Sequence, residues 1–220
     1  AMWRVIARKA GQAVNRYTFE LGSNSDLVLE NSITGNLQWA IEKFAVLDQA
    51  QATLATKFAQ VEPLLDLDHR GRTTIRISVN PRDYITKIEK GTSPLARRLE
   101  AANRLAEKGY PVGINLAPVM LLQDWRDQYG SLIAGLAARL SDRVKSSLFF
   151  EIIFMTYGYA NEKILDQSHP VRPVLMDREI MRPKGRGKLC YKDPARREAQ
   201  DFLLQQLEHH FPGCRIKYIC

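Results

Sequence analysis

No apolar run long enough to span a membrane occurs in these 220 residues, and no signal peptide opens them. The chain is therefore expected to be soluble and cytoplasmic. Cysteine is scarce: Cys190, Cys214 and Cys220 stand at no metal-ligand spacing. An odd count without a secretion signal points to reduced thiols rather than a disulfide framework. Histidine is as sparse. His209 and His210 adjoin near the end of a helical stretch, and His69 and His169 lie in polar loops. With no HExxH and no His/Cys pair at ligand spacing, no metal held by this chain's own side chains is expected. Walker loops, GxGxxG and GxSxG are absent too, which removes the commonest nucleotide-loop and nucleophile-elbow chemistries. There is no short-period repeat and no low-complexity tract.

What is present is a basic chain, +8 at neutral pH with a pI near 9.5. That balance favours polyanionic partners, nucleic acid first, although a merely basic soluble protein would look the same. At 45% hydrophobic residues the chain can bury a sizeable core, as one large domain or two small ones. The start, Ala1-Met2-Trp3, is unusual for a native terminus and suggests a chain cut from something longer.

The organising stretch is Tyr17-Thr18-Phe19-Glu20-Leu21, a short strand that breaks into the polar loop Gly22-Ser23-Asn24-Ser25-Asp26. The arrangement recurs. Thr53–Thr56 ends at Lys57, Thr74–Ile77 at Ser78-Val79-Asn80, and Val112–Leu116 at Ala117-Pro118. Loops at the carboxyl ends of parallel strands are where α/β barrels and open α/β sheets build sites. Helical patterns lie between. Residues 2–14 read as a helix with mixed faces. Ile33 to Leu47 reads as an amphipathic helix with Leu37, Ile41, Phe44 and Ala45 on one stripe and Asn36 as its cap. A short helix is expected around Val61–Leu65, one over Arg82–Glu89 opened by Pro81, and one from Pro94 to Lys108 stopped at Gly109. Another runs from about Gln123 to Leu140. Leu148–Phe154 is almost wholly apolar and suits a strand buried on both faces, with Glu151 inside it needing a partner. Five or more alternations of strand and helix predict parallel βαβ units in an α/β fold, a wound sheet or partial (β/α) barrel.

After about residue 168 the texture changes. Prolines 170, 173 and 183 and a basic run break the alternation. The predicted organisation is a partial barrel over 1–168 and, over 169–220, a basic hairpin-like segment, a C-terminal helix from Pro194 to His210 and a closing strand Arg215–Ile219, packed on the same domain.

Three groups could carry chemistry. Ser23, Ser25, Lys57, Ser78, Asn80 and Ala117 sit at strand ends, where a lysine and serines can hold a carboxylate and hydroxyls; ordinary loop residues would read alike. The run Arg178, Arg182, Lys184, Arg186, Lys188, Lys192, Arg196 and Arg197, opposed only by Glu179 and Asp193, is either a solvated charge run or a phosphate-contacting surface. Trp125 and Tyr129, four apart on a helix, suit the core, while Tyr157 and Tyr159 could stack on a base.

These blocks resemble the C-terminal two-thirds of the spore photoproduct lyase family, radical S-adenosylmethionine enzymes that repair thymine dimers in spore DNA. The resemblance is carried by Phe19-Glu20 through Ser25-Asp26, Thr56-Lys57, Arg76-Ile77-Ser78-Val79-Asn80, Gly91-Thr92-Ser93-Pro94, Ala117-Pro118, Trp125, Phe150-Glu151, Gly185 with Gly187-Lys188, Tyr191 and Phe211-Pro212. It implies a partial (β/α) barrel with S-adenosylmethionine and a [4Fe–4S] cluster in its mouth. Ser25, Lys57 and Ser78 match positions that contact S-adenosylmethionine, and Ala117 matches a neighbouring strand end. Three departures follow from it. The cluster motif Cys-x3-Cys-x2-Cys is absent, so the chain is expected to be an inactive fragment that lacks a cluster-binding segment or finds it in a partner chain. Ser23 stands at the catalytic position of the cysteine that donates a hydrogen atom, and a serine O–H bond is too strong to serve in the same way. The lesion-inserting hairpin, which carries Arg and Tyr in the family, reads Arg182-Pro183-Lys184 without the aromatic. The expected function is that of a fragment of a DNA repair lyase. Arg182, Lys184, Arg186 and Lys188 would be its DNA contacts. The alternative is a non-catalytic nucleic-acid-binding module using residues 178–197.

Overall fold

The computed structural model describes residues 2–12, 15–158, 177 and 179–220. Tyr159, His169, Pro170, Pro173 and Arg178 lie outside them. The order begins α1 (Met2–Gly11), β1 (Tyr17–Glu20), α2 (Leu27–Thr34), α3 (Asn36–Ala45), β2 (Ala50–Thr56), a 3-10 turn (Glu62–Leu64), β3 (Thr73–Val79) and α4 (Arg82–Lys87). It continues with α5 (Leu95–Glu107), β4 (Val112–Val119), α6 (Trp125–Arg139), α7 (Asp142–Lys145) and β5 (Phe149–Phe154). The remaining elements are β6 (Thr156–Gly158), β7 (Met181–Gly185), β8 (Lys188–Tyr191), a last helix here termed α8 (Asp193–His210), and β9 (Arg215–Ile219). Six strands form one sheet in the order β1-β2-β3-β4-β5-β9, and the expected parallel half-barrel is what the chain adopts. The basic segment forms the expected excursion, a separate antiparallel sheet ordered β6-β8-β7.

The chain divides into two compact, interleaved units: residues 1–78, 96–114 and 140–149, and residues 79–95, 115–139 and 150–220. In the first unit β1 pairs with β2 and β2 with β3, all parallel. The helix-facing side of these strands carries Phe19, Ala50 and Ala52, packed with Ile6 and Ala10 of α1 and Phe44 of α3. Trp3 sets its edge on Trp39 and Phe44, both at 5.6 Å. The stripe Leu37, Ile41, Phe44 and Ala45 is buried as the sequence spacing predicts. Gly113 has no room for a side chain, since a Cβ there would lie 2.4 Å from the Phe149 ring.

In the second unit Trp125 meets Phe202 edge-on at 5.2 Å, and Phe150 meets Phe211 at 5.2 Å. Tyr129 is fully buried; its hydroxyl donates to Asn80 Oδ1 at 3.0 Å and accepts from the Met120 N–H at 2.9 Å. Asn80 in turn donates to Glu89 at 2.7 Å. The partner that Glu151 needs is Lys217, whose Nζ lies 3.1 Å from the buried carboxylate.

Several boundaries differ from expectation. The first helix stops at Gly11 rather than 14. One helix expected from Ile33 proves to be two, because Asp26 caps α2 and a left-handed Gly35 (φ 63°) ends it and starts α3. Asn36 is the first helical residue, not the cap. Pro81 occupies the cap position of α4, which ends at Lys87. β4 runs on through Pro118 across a cis peptide. Tyr157 is 6% exposed, with its ring in the core of the small sheet, so it offers no face for a base. The run of polar and small letters around these sites conceals the caps and turns that tertiary contacts select.

Four buried tyrosines give the molecule an alkaline limit. The Tyr191 hydroxyl accepts the Leu121 N–H at 2.9 Å, and burial pushes its phenol from 10.0 up to about 12. Tyr84, Tyr110 and Tyr129 are pushed further up by the same cause. A raised folded-state value stabilises the neutral form, so this contribution is intact below pH 10 and is lost as pH rises through about 12. Phenolate absorbance and loss of circular dichroism should therefore rise together in that range. Ionisation of all eight tyrosines near pH 10 in a still-folded protein would contradict the burial.

Candidate functional site

Register partners in a parallel sheet share a face, and the face alternates along each strand. Phe19 pairs with Ala52 on the helix side. Glu20, paired with Thr53, and Arg76, paired with Ala55, consequently take the other face of the first unit. Period two puts Lys57 and Ser78 there as well, each one residue beyond the paired Thr56 and Ile77. Two of the four predicted strand-end residues thus leave adjacent strands side by side. Below them an Arg76 guanidinium, 6% exposed, is ion-paired with Glu20 Oε1. The Thr53 hydroxyl on this face is buried with no hydrogen-bond partner among the described residues.

The loop after β1 is fastened to the end of β2 by Asp26. Its Oδ1 accepts from the Thr56 hydroxyl at 2.8 Å and its Oδ2 from the Lys57 N–H at 2.8 Å. The same carboxylate caps α2, accepting from the N–H groups of Val28 and Leu29 at 3.1 and 3.4 Å. One side chain therefore ties Ser25, its neighbour in sequence, to Lys57. Ser23 and Ser25 are exposed in the turn closed by Ser25 N–H to Gly22 O at 3.1 Å. Gly22 is required here: its φ is +70°, and a Cβ would meet Leu27 at 2.7 Å and the Ser25 carbonyl at 2.9 Å. Ser78 is 5% exposed, and its carbonyl accepts from the guanidinium of Arg98, itself fully buried, at 2.8 Å.

In the second unit Ala117 is half-buried, two residues beyond Asn115, whose buried Oδ1 has no hydrogen-bond partner among the described residues. Asn80 belongs to the Tyr129–Glu89 network and serves packing. The basic residues lie on the β7–β8 hairpin, whose tip Gly185-Arg186-Gly187 has φ of 90°, 50° and 68°. Arg182, Lys184, Arg186 and Lys188 are all exposed, and Arg182 is held by Asp193 at 2.7 Å.

Sequence reading missed Asp26, the Glu20–Arg76 pair and Arg98. The signal for Asp26 was available: an Asp directly before Leu27-Val28-Leu29-Glu30 is a helix start. Nothing local marked Arg98, which sits among other arginines and glutamates on α5. Among the described residues no three His, Cys, Asp or Glu side chains come together in a group that could hold a metal.

The family model for spore photoproduct lyase matches residues 6–220. The spore photoproduct lyase of Bacillus subtilis (strain 168) is 33% identical over 204 residues, covering 91% of this chain and 60% of that protein. That of Clostridium acetobutylicum is 30% identical over 223 residues, covering 97% of this chain and 66% of the other. The chain thus spans about three fifths to two thirds of the length of these curated relatives. Among solved structures, a substituted spore photoproduct lyase with bound AdoMet and dinucleoside spore photoproduct superposes with a TM-score of 0.93 at 29% identity, covering 100% of this chain and 66% of its own. Another, carrying the dinucleoside spore photoproduct alone, gives the same TM-score of 0.93. Fold and sequence agree, and the chain belongs to the spore photoproduct lyase family.

Proposed function

We propose that this chain is the S-adenosylmethionine- and DNA-binding portion of a spore-photoproduct-lyase-like repair protein. The observation that carries this is the side-by-side placement of Lys57 and Ser78 at parallel strand ends, with Ser25 tied to Lys57 through Asp26. S-adenosylmethionine offers a carboxylate, an ammonium, ribose hydroxyls and a sulfonium, and the face presents donors and acceptors of matching kind. Lys57 supplies a cation for the carboxylate; Ser25 and Ser78 supply hydroxyls; the unpartnered Thr53 hydroxyl adds a buried polar atom. Held by Ser25, Lys57 and Ser78, S-adenosylmethionine would supply radical chemistry directed at the nucleic-acid substrate. Cys190, Cys214 and Cys220 do not fit a [4Fe–4S] cluster, being free and ungrouped. The reading assigns the cluster to a segment other than these cysteines.

Ser23 follows Gly22 in the same turn, where the resemblance puts a hydrogen-donating cysteine. A hydroxyl there can orient the substrate by hydrogen bonding but does not replace a thiol as hydrogen-atom donor. The bound lesions in the solved relatives support DNA as the substrate class, and Arg182, Lys184, Arg186 and Lys188 are the proposed phosphate contacts.

Equilibrium dialysis of S-adenosylmethionine against the chain tests the site. Loss of a charged hydrogen bond is worth about 1.5–3 kcal/mol, so Lys57→Ala should weaken binding roughly 10- to 150-fold. Equal affinity of wild type, Lys57→Ala and Ser78→Ala would end the assignment. The second reading, a non-catalytic nucleic-acid module, is favoured only by the exposed hairpin cations. It predicts salt-dependent DNA binding with no affinity for S-adenosylmethionine.

A further inference from the structure

Within the second unit a cavity of about 250 Å³ opens between the hairpin, the end of β5 and the first turn of α8. Among the described residues Arg182, Lys184 and Arg196 line it, with Phe154 and Tyr191 among its apolar walls, and no Asp or Glu side chain does. We propose that this cavity is a phosphodiester seat, in which Arg182, Lys184 and Arg196 close on one backbone phosphate of the nucleic acid. It rests on the reading of the chain as a nucleic-acid-acting protein, but it names a built site where the charge run gave only a surface.

Three observations carry the proposal. First, the cations are positioned rather than loose. Asp193 takes one edge of the Arg182 guanidinium at 2.7 Å and fixes its direction. The Arg196 guanidinium lies over the Phe154 ring, 5.7 Å from its centroid, and that ring is 6% exposed. Second, strand pairing builds the wall. Arg182 pairs with Cys190 on β8, and Cys190 pairs with Thr156 on β6, so the three stand in one cross-strand row on one face. All three line the cavity, and Thr156 adds a hydroxyl. Third, the size selects the ligand. The volume is below the ~300–1,000 Å³ of pockets for drug-sized molecules. It suits a phosphate with part of its flanking sugar better than a whole stacked nucleotide. Three cations, one of them shared with Asp193, on apolar walls that weaken solvent screening, are suited to a single further negative group.

The cavity carries its own reporters. Cys190 and Cys220 line it, and Cys214 does not. Alkylation by iodoacetamide, a neutral reagent, is followed at each cysteine by peptide mass spectrometry, each rate compared with its own value in the free chain. The probes are a 5′-phosphorylated single-stranded dodecanucleotide and, separately, inorganic phosphate. Slowing at Cys190 and Cys220 with Cys214 unchanged supports the seat. If only the oligonucleotide protects, the ligand is a backbone phosphodiester; if inorganic phosphate also protects, the shared phosphate chemistry stands. In parallel, Arg196→Gln should weaken oligonucleotide binding about tenfold at low salt and reduce the salt slope by about one. Arg197→Gln, exposed next door and outside the lining, should change it much less. Unprotected cysteines together with equal losses for the two variants overturn the seat while leaving nucleic-acid binding intact. Protection by inorganic phosphate with no oligonucleotide binding overturns the nucleic-acid reading and the phosphodiester assignment, and keeps only a phosphate site.

Discussion

Asp26→Ala should destabilise the protein by about 3 kcal/mol and abolish the proposed S-adenosylmethionine binding at the strand ends. The magnitude follows from the bonds lost. A helix cap is worth ~1 kcal/mol, and hydrogen bonds to a charged group about 1.5–3 kcal/mol each, reduced here because water can reach a half-buried loop. At roughly 2–4 °C per kcal/mol for a chain of this size, the melting temperature should fall about 6–12 °C. The functional loss has a separate cause. Without the carboxylate, the Lys57 N–H and the Thr56 hydroxyl lose their acceptor, and the loop carrying Ser23 and Ser25 is no longer fastened to β2. Asp26→Asn keeps one acceptor oxygen and should fall between. Differential scanning calorimetry with ligand dialysis separates the two effects. A melting temperature within a degree of wild type would show that the clamp contributes nothing.

Replacing Arg98 should cost more. It is the largest fully buried side chain, at 0% exposure, and its guanidinium donates to the Ser78 carbonyl at 2.8 Å. Arg98→Ala leaves a cavity and a carbonyl without this donor, together about 4 kcal/mol. Arg98→Met fills most of the volume and separates the packing from the guanidinium's polar contacts, the Ser78 bond among them, so it should cost about 1–3 kcal/mol. Both should also weaken the proposed S-adenosylmethionine binding, because Arg98 fixes the end of β3 through the Ser78 carbonyl. Arg98→Met is the decisive variant. Full stability with normal binding would reduce Arg98 to a space filler, whereas near-normal stability with weakened binding would show that it positions Ser78.

The basic hairpin illustrates a limit of reading charge along a chain. Eight cations in sequence suggest a uniform polyanion-binding surface, but strand pairing and the turn of the last helix sort them. Arg182, Lys184 and Arg196 share a cavity, while Arg186 sits at the turn and Arg197 faces outward. Tyr157 shows the converse. Its place after an apolar strand suggested an aromatic platform, yet pairing with Leu189 turns it into the core of the small sheet.

Local sequence was enough to read the alternation of strands and helices, the buried stripe of α3, the double-sided burial of β5 and the places of Lys57 and Ser78 at the ends of β2 and β3. Those features arise from local periodicity and turn chemistry, which are written within a dozen residues. It took the folded chain to show that Asp26 joins two loops 31 positions apart, that Arg98 reaches back 20 positions to Ser78, and that Lys217 neutralises Glu151. Such contacts depend on which elements the chain brings together in space. An Asp or Arg has the same local character whether it ends up clamping a site or facing water.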